Sequence, residues 1–504
     1  MKPPIAVPQI FVELGGSQIA ADLLRLLVEV RVQSRISMPT LCELIFLDPQ
    51  GHVAESGLTE IGQSFRVGIR GGELDLFSGD VTGVDHIFQT SRGHEVRVRG
   101  YDVLNRLSRR QSVRSFVQMS LRDLVQELVS DLGLEVVSEA SERPWEYVIQ
   151  SDQTDLELLA ELADRQGSIF FVRDTKLHLA TLKGTDSTEV LRLGEELLEA
   201  RFSLNEVTRY ASVSTTGWDT TLAEVRSGSA TAPRVQEGVL TANEGASSDA
   251  ERLLTNYATR SDEEATLNAQ AELDYRAAQR LSLSGLAVGN PALRPGTPIR
   301  VQGVDSSCAG PFTLTAANHI ISTDSGFVTE IDTAPMRPKR RRTGVSATLG
   351  LVSRTDDPQR LGRIQVSLPA FGNVATDWVQ TVAPWAGKGK GFMGQTDVGD
   401  LVVFLFFDSD LAQGIVLGTL YGSGGPPEDW SKDDKGQRYM LVTPGGQKVR
   451  LDDSGSVIRL ENARGSYVEL SPDRVMVHSE TDLHMEAPGK PIVISGKSID
   501  FQQG

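Results

Sequence analysis

Over the first hundred residues, apolar and polar positions alternate with a period of two. Ile10, Val12 and Leu14 fall on one side of a strand. So do Val28, Val30 and Val32, with Glu29 and Arg31 opposite, then Phe65, Val67 and Ile69, then Val96 and Val98 between Glu95, Arg97 and Arg99. Such strands have one dry and one wet face and predict antiparallel sheet. The period then lengthens. Ser120 followed by Asp123 predicts a capped helix to about Leu132, with Gly133 to end it. Thr154 followed by Glu157 predicts a second, with Leu156, Leu159, Leu162 and Ala163 as its apolar stripe and Gly167 as its stop. A hairpin follows, Ile169–Val172 and Leu177–Leu182 about a turn near Asp174. Ser261 with Glu264 opens a third helix to about Arg280, and residues 281–331 return to strand, broken by Pro291, Pro295 and Gly296.

Between Gly350 and Tyr421, short strands at Leu361–Val366, Trp378–Val382, Leu401–Phe406 and Ile415–Leu420 alternate with glycine-rich turns, which predicts a small Greek-key barrel of the OB type. The final stretch has its own cadence. Pairs of apolar residues flank one other residue at Val449/Leu451, Ile458/Leu460, Val468/Leu470, Val475/Val477, Leu483/Met485, Ile492/Ile494 and Ile499/Phe501. Successive starts lie 9, 10, 7, 8, 9 and 7 residues apart, with turn residues between them such as Asp452-Asp-Ser-Gly, Asn462-Ala-Arg-Gly, Ser471-Pro-Asp and Ala487-Pro-Gly. Each unit offers about two apolar side chains on one face. At roughly 1.5–3 kcal/mol each, they do not offset about 1–2 kcal/mol of backbone ordering for every residue of the unit. Three copies sharing one axis would bury all these faces and pair the strand edges. The expectation is therefore a trimeric β-helix, a three-sided prism, with Val449 through Ile494 on the axis and Ile499 and Phe501 at the tip. A plain hairpin meander packed on the barrel is the simpler alternative, but it leaves the period without a reason.

The resulting division is a strand-rich block at 1–336, a linker at 337–349, the barrel at 350–424 and the repeat at 425–504. Composition adds limits. Of 504 residues, 39% are apolar and 23% charged, and 67 acidic against 50 basic residues give a net charge of −17, which disfavours a polyanionic partner such as nucleic acid. The run Arg337-Pro-Lys-Arg-Arg-Arg342 invites the opposite reading, but its place between two strand-rich blocks favours a solvated linker. The amino-terminal residues lack the pattern of a signal peptide, and no apolar run is long enough to span a bilayer, so folding in a cytoplasm is expected. Cys42 and Cys308 both sit in strand-like contexts and are expected to be small buried residues rather than a disulfide pair.

Candidate chemistry is thin. Gly389-Lys-Gly391-Phe-Met-Gly394 matches a dinucleotide fingerprint, but strand follows strand there and no helix opens. His478 and His484 suggest a metal on a threefold axis; their even parity, alongside Glu480 and Asp482, sets them opposite the odd apolar residues, towards solvent. No H-E-x-x-H, paired cysteines or G-x-S-x-G occurs. No catalytic residue, cofactor or metal is expected.

Several segments resemble the VgrG and phage late-control hub–spike family, the gp27–gp5-like spikes of contractile injection systems. They are Gly100-Tyr-Asp-Val, the helix and hairpin from Gln150 to Leu177, Leu293-Arg-Pro-Gly296, and Gly310 to His319. The most specific is the barrel, from Gly350-Leu-Val through Leu361-Gly-Arg-Ile-Gln-Val to Gly399-Asp-Leu-Val-Val-Phe-Leu-Phe and Val416-Leu-Gly-Thr-Leu-Tyr-Gly422. The resemblance implies a mainly β chain: a hub of two tube-like barrels with a few helices, an OB barrel and a needle. As a homotrimer it would present six barrels to a sixfold inner tube. Its partners would be inner-tube and baseplate proteins, a PAAR-type tip protein near Ile499–Gly504, a possible cargo effector, and the target membrane on firing. It would be made in a bacterial cytoplasm and assembled into a tail-like particle. An extracellular system of the antifeeding-prophage type fits the layout best; a phage tail and a type VI system stay open. Some members insert a lysozyme domain after the barrel, but about 25 residues separate Tyr421 from Gly446 here, too few for an enzyme. The alternative from another class is a cell-wall hydrolase or glycan-binding β protein.

Overall fold

A computed structural model describes residues 8–502 apart from 58–59, 91–92, 186, 206–208, 220–223, 236–249, 338–343, 395 and 428–437. The chain divides into two compact units, Met1–Leu420 and Tyr421–Gly504.

The first unit is organised by an antiparallel sheet of eleven strands. Its amino-terminal half holds Ile10–Leu14, Leu27–Arg35, Leu41–Leu47, Ser64–Ile69, Asp75–Gln89 and Gly93–Tyr101, with the short Ser17–Gln18 on one edge. Alternation does what the sequence implies: Val12, Val30, Val32, Leu44, Phe65, Val67, Val96 and Val98 fill one core. The rest of the sheet comes from far along the chain. Leu197–Leu204, Leu281–Val288, Gly326–Asp332 and Ala316–Ser322 add to it, and Ala316–Ser322 pairs directly with Leu27–Arg35. The two halves of the sheet are thus joined through one continuous ladder.

Residues 103–180 form an α/β insertion with its own core of Leu104, Leu124, Leu128, Leu159, Leu162, Phe170 and Leu177. Both predicted capping boxes are present. Ser120 caps Leu121–Leu128 with Asp123, and Thr154 caps Asp155–Arg165 with Glu157. The first helix stops at Leu128, short of Leu132, because Val129 leaves helical geometry. In the second, Leu158 is buried and Leu156 only half-buried, so the stripe is rotated from the predicted one. Asp262–Arg280 forms the third of the predicted helices, packing Ala269 and Leu273 against Val213, Ala230 and Leu254.

The barrel is a six-stranded sheet whose core holds Val352, Ile364, Val366, Leu368, Val402, Phe404, Phe406, Leu411 and Val416. Its first strand, Val345–Arg354, begins inside the segment expected to be linker. The expected strand at Leu361 begins later, at Gln365, because the Asp357 carboxylate gathers the N–H groups of Gln359, Leu361 and Arg363 into a turn. Of the basic run, Lys339 to Arg342 lie outside the described residues. Arg337 is no solvated residue: it pairs with Glu272 and stacks on Tyr275 with its guanidinium 4.0 Å from the ring centre. Cys42 is buried, but Cys308 is only half-buried and sits in a turn rather than a strand.

The second unit is built from five strands: Arg438–Val442, Lys448–Asp452, Val457–Glu461, Tyr467–Leu470 and Val475–His478. They pair in sequence order as an antiparallel meander. One chain by itself therefore builds the meander, not a prism. Tyr439 and Leu441 already alternated in the sequence, yet the first strand lies ahead of the expected start. No strand occurs at Leu483/Met485, Ile492/Ile494 or Ile499/Phe501. A strand exists only with a ladder partner, and within a single chain these segments meet none. The turn between two of them does form: the Lys490 N–H donates to the Ala487 carbonyl at 2.9 Å, with Pro488 and a left-handed Gly489 between.

Candidate functional site

The site with the clearest physical anomaly is the meander. Its register aligns Val449 with Leu460, Leu451 with Ile458, Ile458 with Leu470, Leu460 with Val468, Val468 with Val477 and Leu470 with Val475. Tyr439 and Leu441 extend the row across the first strand. Directly paired residues share a face of a sheet, so ten apolar side chains make one continuous surface. That surface is open: Val475 is 70% and Val477 57% exposed.

The opposite face is polar and more closely packed. Arg438 pairs with Asp452 at 2.7 Å. Arg459 pairs with Glu461 at 3.0 Å and Glu469 at 3.1 Å, and lies 3.7 Å from the Tyr467 ring centre. Tyr467 stacks on His478, with ring centres 4.9 Å apart, and donates from its hydroxyl to the Met476 sulfur at 3.0 Å. Asp452 is only 7% exposed. This inverts the usual arrangement, in which the dry face is covered first. Most of the polar face finds partners within the chain, although the buried Arg450 Nε does not, while the apolar face is left open.

The turns that hold this register are wired by side chains. Asn462 Oδ1 accepts from the N–H of Arg464 and of Ser466, both at 3.0 Å, and Ser471 Oγ accepts from the Arg474 N–H at 3.2 Å. Asp452 accepts from the Ser454 hydroxyl and the Gly455 N–H. The Ser454 hydrogen bond, with Arg438 and the Gly455 N–H, holds the Asp452 carboxyl down to about 2 against the upward push of burial. A carboxyl depressed on folding contributes stability that is present above its unfolded value near 4 and is lost as pH falls towards 2. Urea midpoints of the meander should therefore drop between pH 4 and 2 more steeply in the natural protein than in Asp452→Asn. Parallel curves would show that the contact contributes nothing.

The other residues singled out in the sequence are placed plainly. Leu483, Met485, Ile492, Ile494 and Ile499 are all more than half exposed, and Phe501 is 87% exposed. His478 lies on the polar face and bonds Glu480 at 2.8 Å. Among the described residues, no group of three or more His, Cys, Asp or Glu side chains is arranged to hold a metal ion. Gly389 to Gly394 carries part of the turn and the second strand of a short hairpin, Ala386–Gly387 with Lys390–Gly391.

A second uncovered apolar face lies on the barrel. Leu401-Val-Val-Phe-Leu-Phe-Phe407 is apolar at every position, the pattern of a strand buried on both sides. Val402, Phe404 and Phe406 point into the core. Leu401, Val403, Leu405 and Phe407 point outward, and pair with Leu351, Leu349, Ala347 and Val345. Val345, Leu349, Leu351 and the neighbouring Leu420 are exposed. The sequence held this signal, though no periodicity rule isolated it.

The barrel is fastened to the hub by contacts that no local pattern announces. Arg260 donates to Asp377 at 2.6 Å, Glu146 at 3.1 Å and the Ala412 carbonyl at 3.1 Å. Burial works against its charge, but Asp377 and Glu146 outweigh that and hold its pKa above the ordinary value. Tyr147 donates to the Ala375 carbonyl at 2.7 Å, and Ile149, 3% exposed, inserts into the barrel core.

With this geometry in hand, two family resemblances can be stated. Residues 26–323 match the family described as the Alg8 N-terminal domain, and residues 348–421 match the type VI secretion system/phage-baseplate injector OB domain. No curated protein matches the chain. Among solved structures, an Escherichia coli protein is similar at 13% identity with a TM-score of 0.54, over 81% of this chain and 99% of that one. It is described as a type VI secretion component with structural similarity to the T4 bacteriophage tail proteins gp27 and gp5. The 43 kDa tail protein of prophage MuSo2 from Shewanella oneidensis gives 15% identity and a TM-score of 0.48 over 65% of this chain and 97% of that one. The tail protein of Neisseria meningitidis gives 15% and 0.47 over 64% and 95%. At these identities the likeness to the E. coli structure is one of fold.

Proposed function

We propose, from the premise that the chain belongs to the Alg8 N-terminal domain family and is a VgrG-like hub–spike with an injector-type OB barrel, that it works as the trimeric, non-enzymatic hub and needle of a contractile injection machine. The single observation that carries this is the uncovered apolar face of residues 438–478, set against a polar face whose Arg438 and Arg459 are paired within the chain. An apolar sheet face of this extent is unstable in water. Two further copies turned about a common axis cover it and leave the polar faces outward.

In that assembly Val449, Leu451, Ile458, Leu460, Val468, Leu470, Val475 and Val477 pack on the axis. Residues 479–502 gain strand partners from neighbouring chains, which brings Leu483, Met485, Ile492 and Ile494 onto the same axis. Ile499 and Phe501 then offer an apolar platform to a PAAR-type tip protein. Three outer barrel faces, centred on Leu349, Leu351 and Val403, close against one another. Six hub barrels meet a sixfold inner tube, baseplate proteins surround them, and sheath contraction drives the needle through a target membrane, with any cargo effector carried behind. The machine assembles in the bacterial cytoplasm, and the layout favours an extracellular, antifeeding-prophage type.

The test is where the carboxy terminus sits. In assembled particles carrying a tag after Gly504, electron microscopy should show gold label at the pointed end of the tube, beyond the baseplate. Label along the sheath, or particles that exclude the chain, would contradict the reading. A cell-wall hydrolase is the rival, and release of soluble peptidoglycan by the purified chain would favour it.

A further inference from the structure

The dry face of the large sheet ends in two histidines. Along the hairpin of Asp75–Gln89 and Gly93–Tyr101, Val84 pairs with Val98, His86 with Val96 and Phe88 with His94. Directly paired residues share a face, and Val96 and Val98 are fully buried on this one. Beyond them the core row gives way to His86, which is exposed, and to His94, whose side chain is 13% exposed. The two histidines are eight residues apart, and only the hairpin brings them together.

Their rings face each other. His86 Nδ1 stands 3.1 Å from His94 Nε2. The ring centres are 5.3 Å apart and the planes 21° from parallel, which leaves the rings edge to edge with these two nitrogens between them. The other nitrogen of His94 is committed, since Nδ1 lies 3.0 Å from the Asp48 carbonyl oxygen. A carbonyl only accepts, so Nδ1 carries the proton and Nε2 turns its lone pair towards His86.

The surroundings hold His94 still. The Asp48 N–H donates to the His94 carbonyl at 2.8 Å, which locks the two backbones together. Phe88 lies flat on the His94 ring, 4.3 Å between centres and 7° from parallel. The buried Asp48 carboxylate, which accepts from the N–H groups of His52 and Val53, stands 4.0 Å from His94 Nδ1 and puts negative charge behind the ring. The neighbouring acids are turned away by strand parity: Asp85 pairs with Arg99 at 2.8 Å, and Glu95 pairs with Arg97.

We propose that His86 and His94 form a site for a divalent transition-metal cation of the zinc or copper kind. A far N–H resting on a backbone carbonyl, with a carboxylate close behind, is what fixes the tautomer and orientation of a metal-ligating imidazole and raises its basicity. Two nitrogens bound at about 2.0–2.1 Å to a tetrahedral or square centre stand about 2.9–3.4 Å apart, and the 3.1 Å found here falls in that range. Without the ion, His86 Nδ1 donates its proton to His94 Nε2. The cation takes the place of that proton, which leaves to solvent, and the exposed His86 ring turns so that both lone pairs converge. Imidazole nitrogen selects such cations over Mg2+ and Ca2+, which take oxygen. No third His, Cys, Asp or Glu joins the pair among the described residues. Water or a donor from another molecule therefore fills the remaining positions, and the ion exchanges readily.

The test titrates the full chain with Zn2+ by calorimetry, with Mg2+ as the comparison. Zn2+ should bind saturably, and Mg2+ should not compete. Removing a ligand costs at least as much as removing the group that orients it, so His86→Ala should weaken Zn2+ binding about tenfold or more. His478→Ala, on the meander, should leave it unchanged. With Cu2+, electron paramagnetic resonance should show coupling to two ring nitrogens in the natural chain and to one in His86→Ala. His94→Ala should act as His86→Ala does; if it fails to fold, the exposed His86 position carries the test. Zn2+ binding of equal strength in His86→Ala, or no saturable binding by the natural chain, overturns the proposal.

Discussion

Ile458→Asp should reduce the assembly to single chains. Ile458 pairs with Leu451 on one side and Leu470 on the other, at the middle of the exposed apolar face. If three copies meet there, the substitution removes three buried isoleucines, each worth roughly 1.5–3 kcal/mol. It also places three carboxylates near one axis, where each costs several kcal/mol to desolvate and repels the others. Val477→Asp should act in the same way. His478→Ala, one residue on and on the opposite face, should leave the assembly intact. Sedimentation of the three variants checks this. An Ile458→Asp protein that assembles like the natural one would mean that the face is covered by something else. Loss of assembly with His478→Ala would show that the two faces are assigned the wrong way round.

Arg260→Met should loosen the barrel from the hub without unfolding either. The side chain is 13% exposed and its partner Asp377 17%, and Asp377 would be left without its cation. Removing one member of such a pair costs about 3 kcal/mol, at the low end for buried pairs because both groups keep some water. Replacing both members by apolar residues often restores stability, so Arg260→Met with Asp377→Leu should recover most of the loss. Urea midpoints of the two variants provide the check. A single substitution with no effect would mean that Tyr147 and Ile149 hold the junction without help.

What the sequence revealed depended on the range of the interaction. The caps at Ser120 and Thr154 and the turns at Asn462 and Ser471 are set by residues within five positions of one another, and each formed where expected. Alternation identified the dry side of most hub strands. It did not identify the neighbour of each strand. The pairing of Ala316–Ser322 with Leu27–Arg35 joins segments almost three hundred residues apart, and nothing in either strand names the other. The same limit explains the Arg260 contacts and the anchoring of Arg337. It also explains why the apolar pairs after residue 480 formed no strands: period two marks a face, and a ladder needs a partner. At Leu401–Phe407 the strand itself was legible, and an apolar residue at every position implies cover on both of its sides.

The most direct test of the account is the mass of the purified chain in solution, measured by light scattering or sedimentation equilibrium. The uncovered faces at 438–478 and on the barrel predict a particle of three chains, three times the 54.7 kDa of one. A folded, stable species of a single 54.7 kDa chain would contradict the account at its centre.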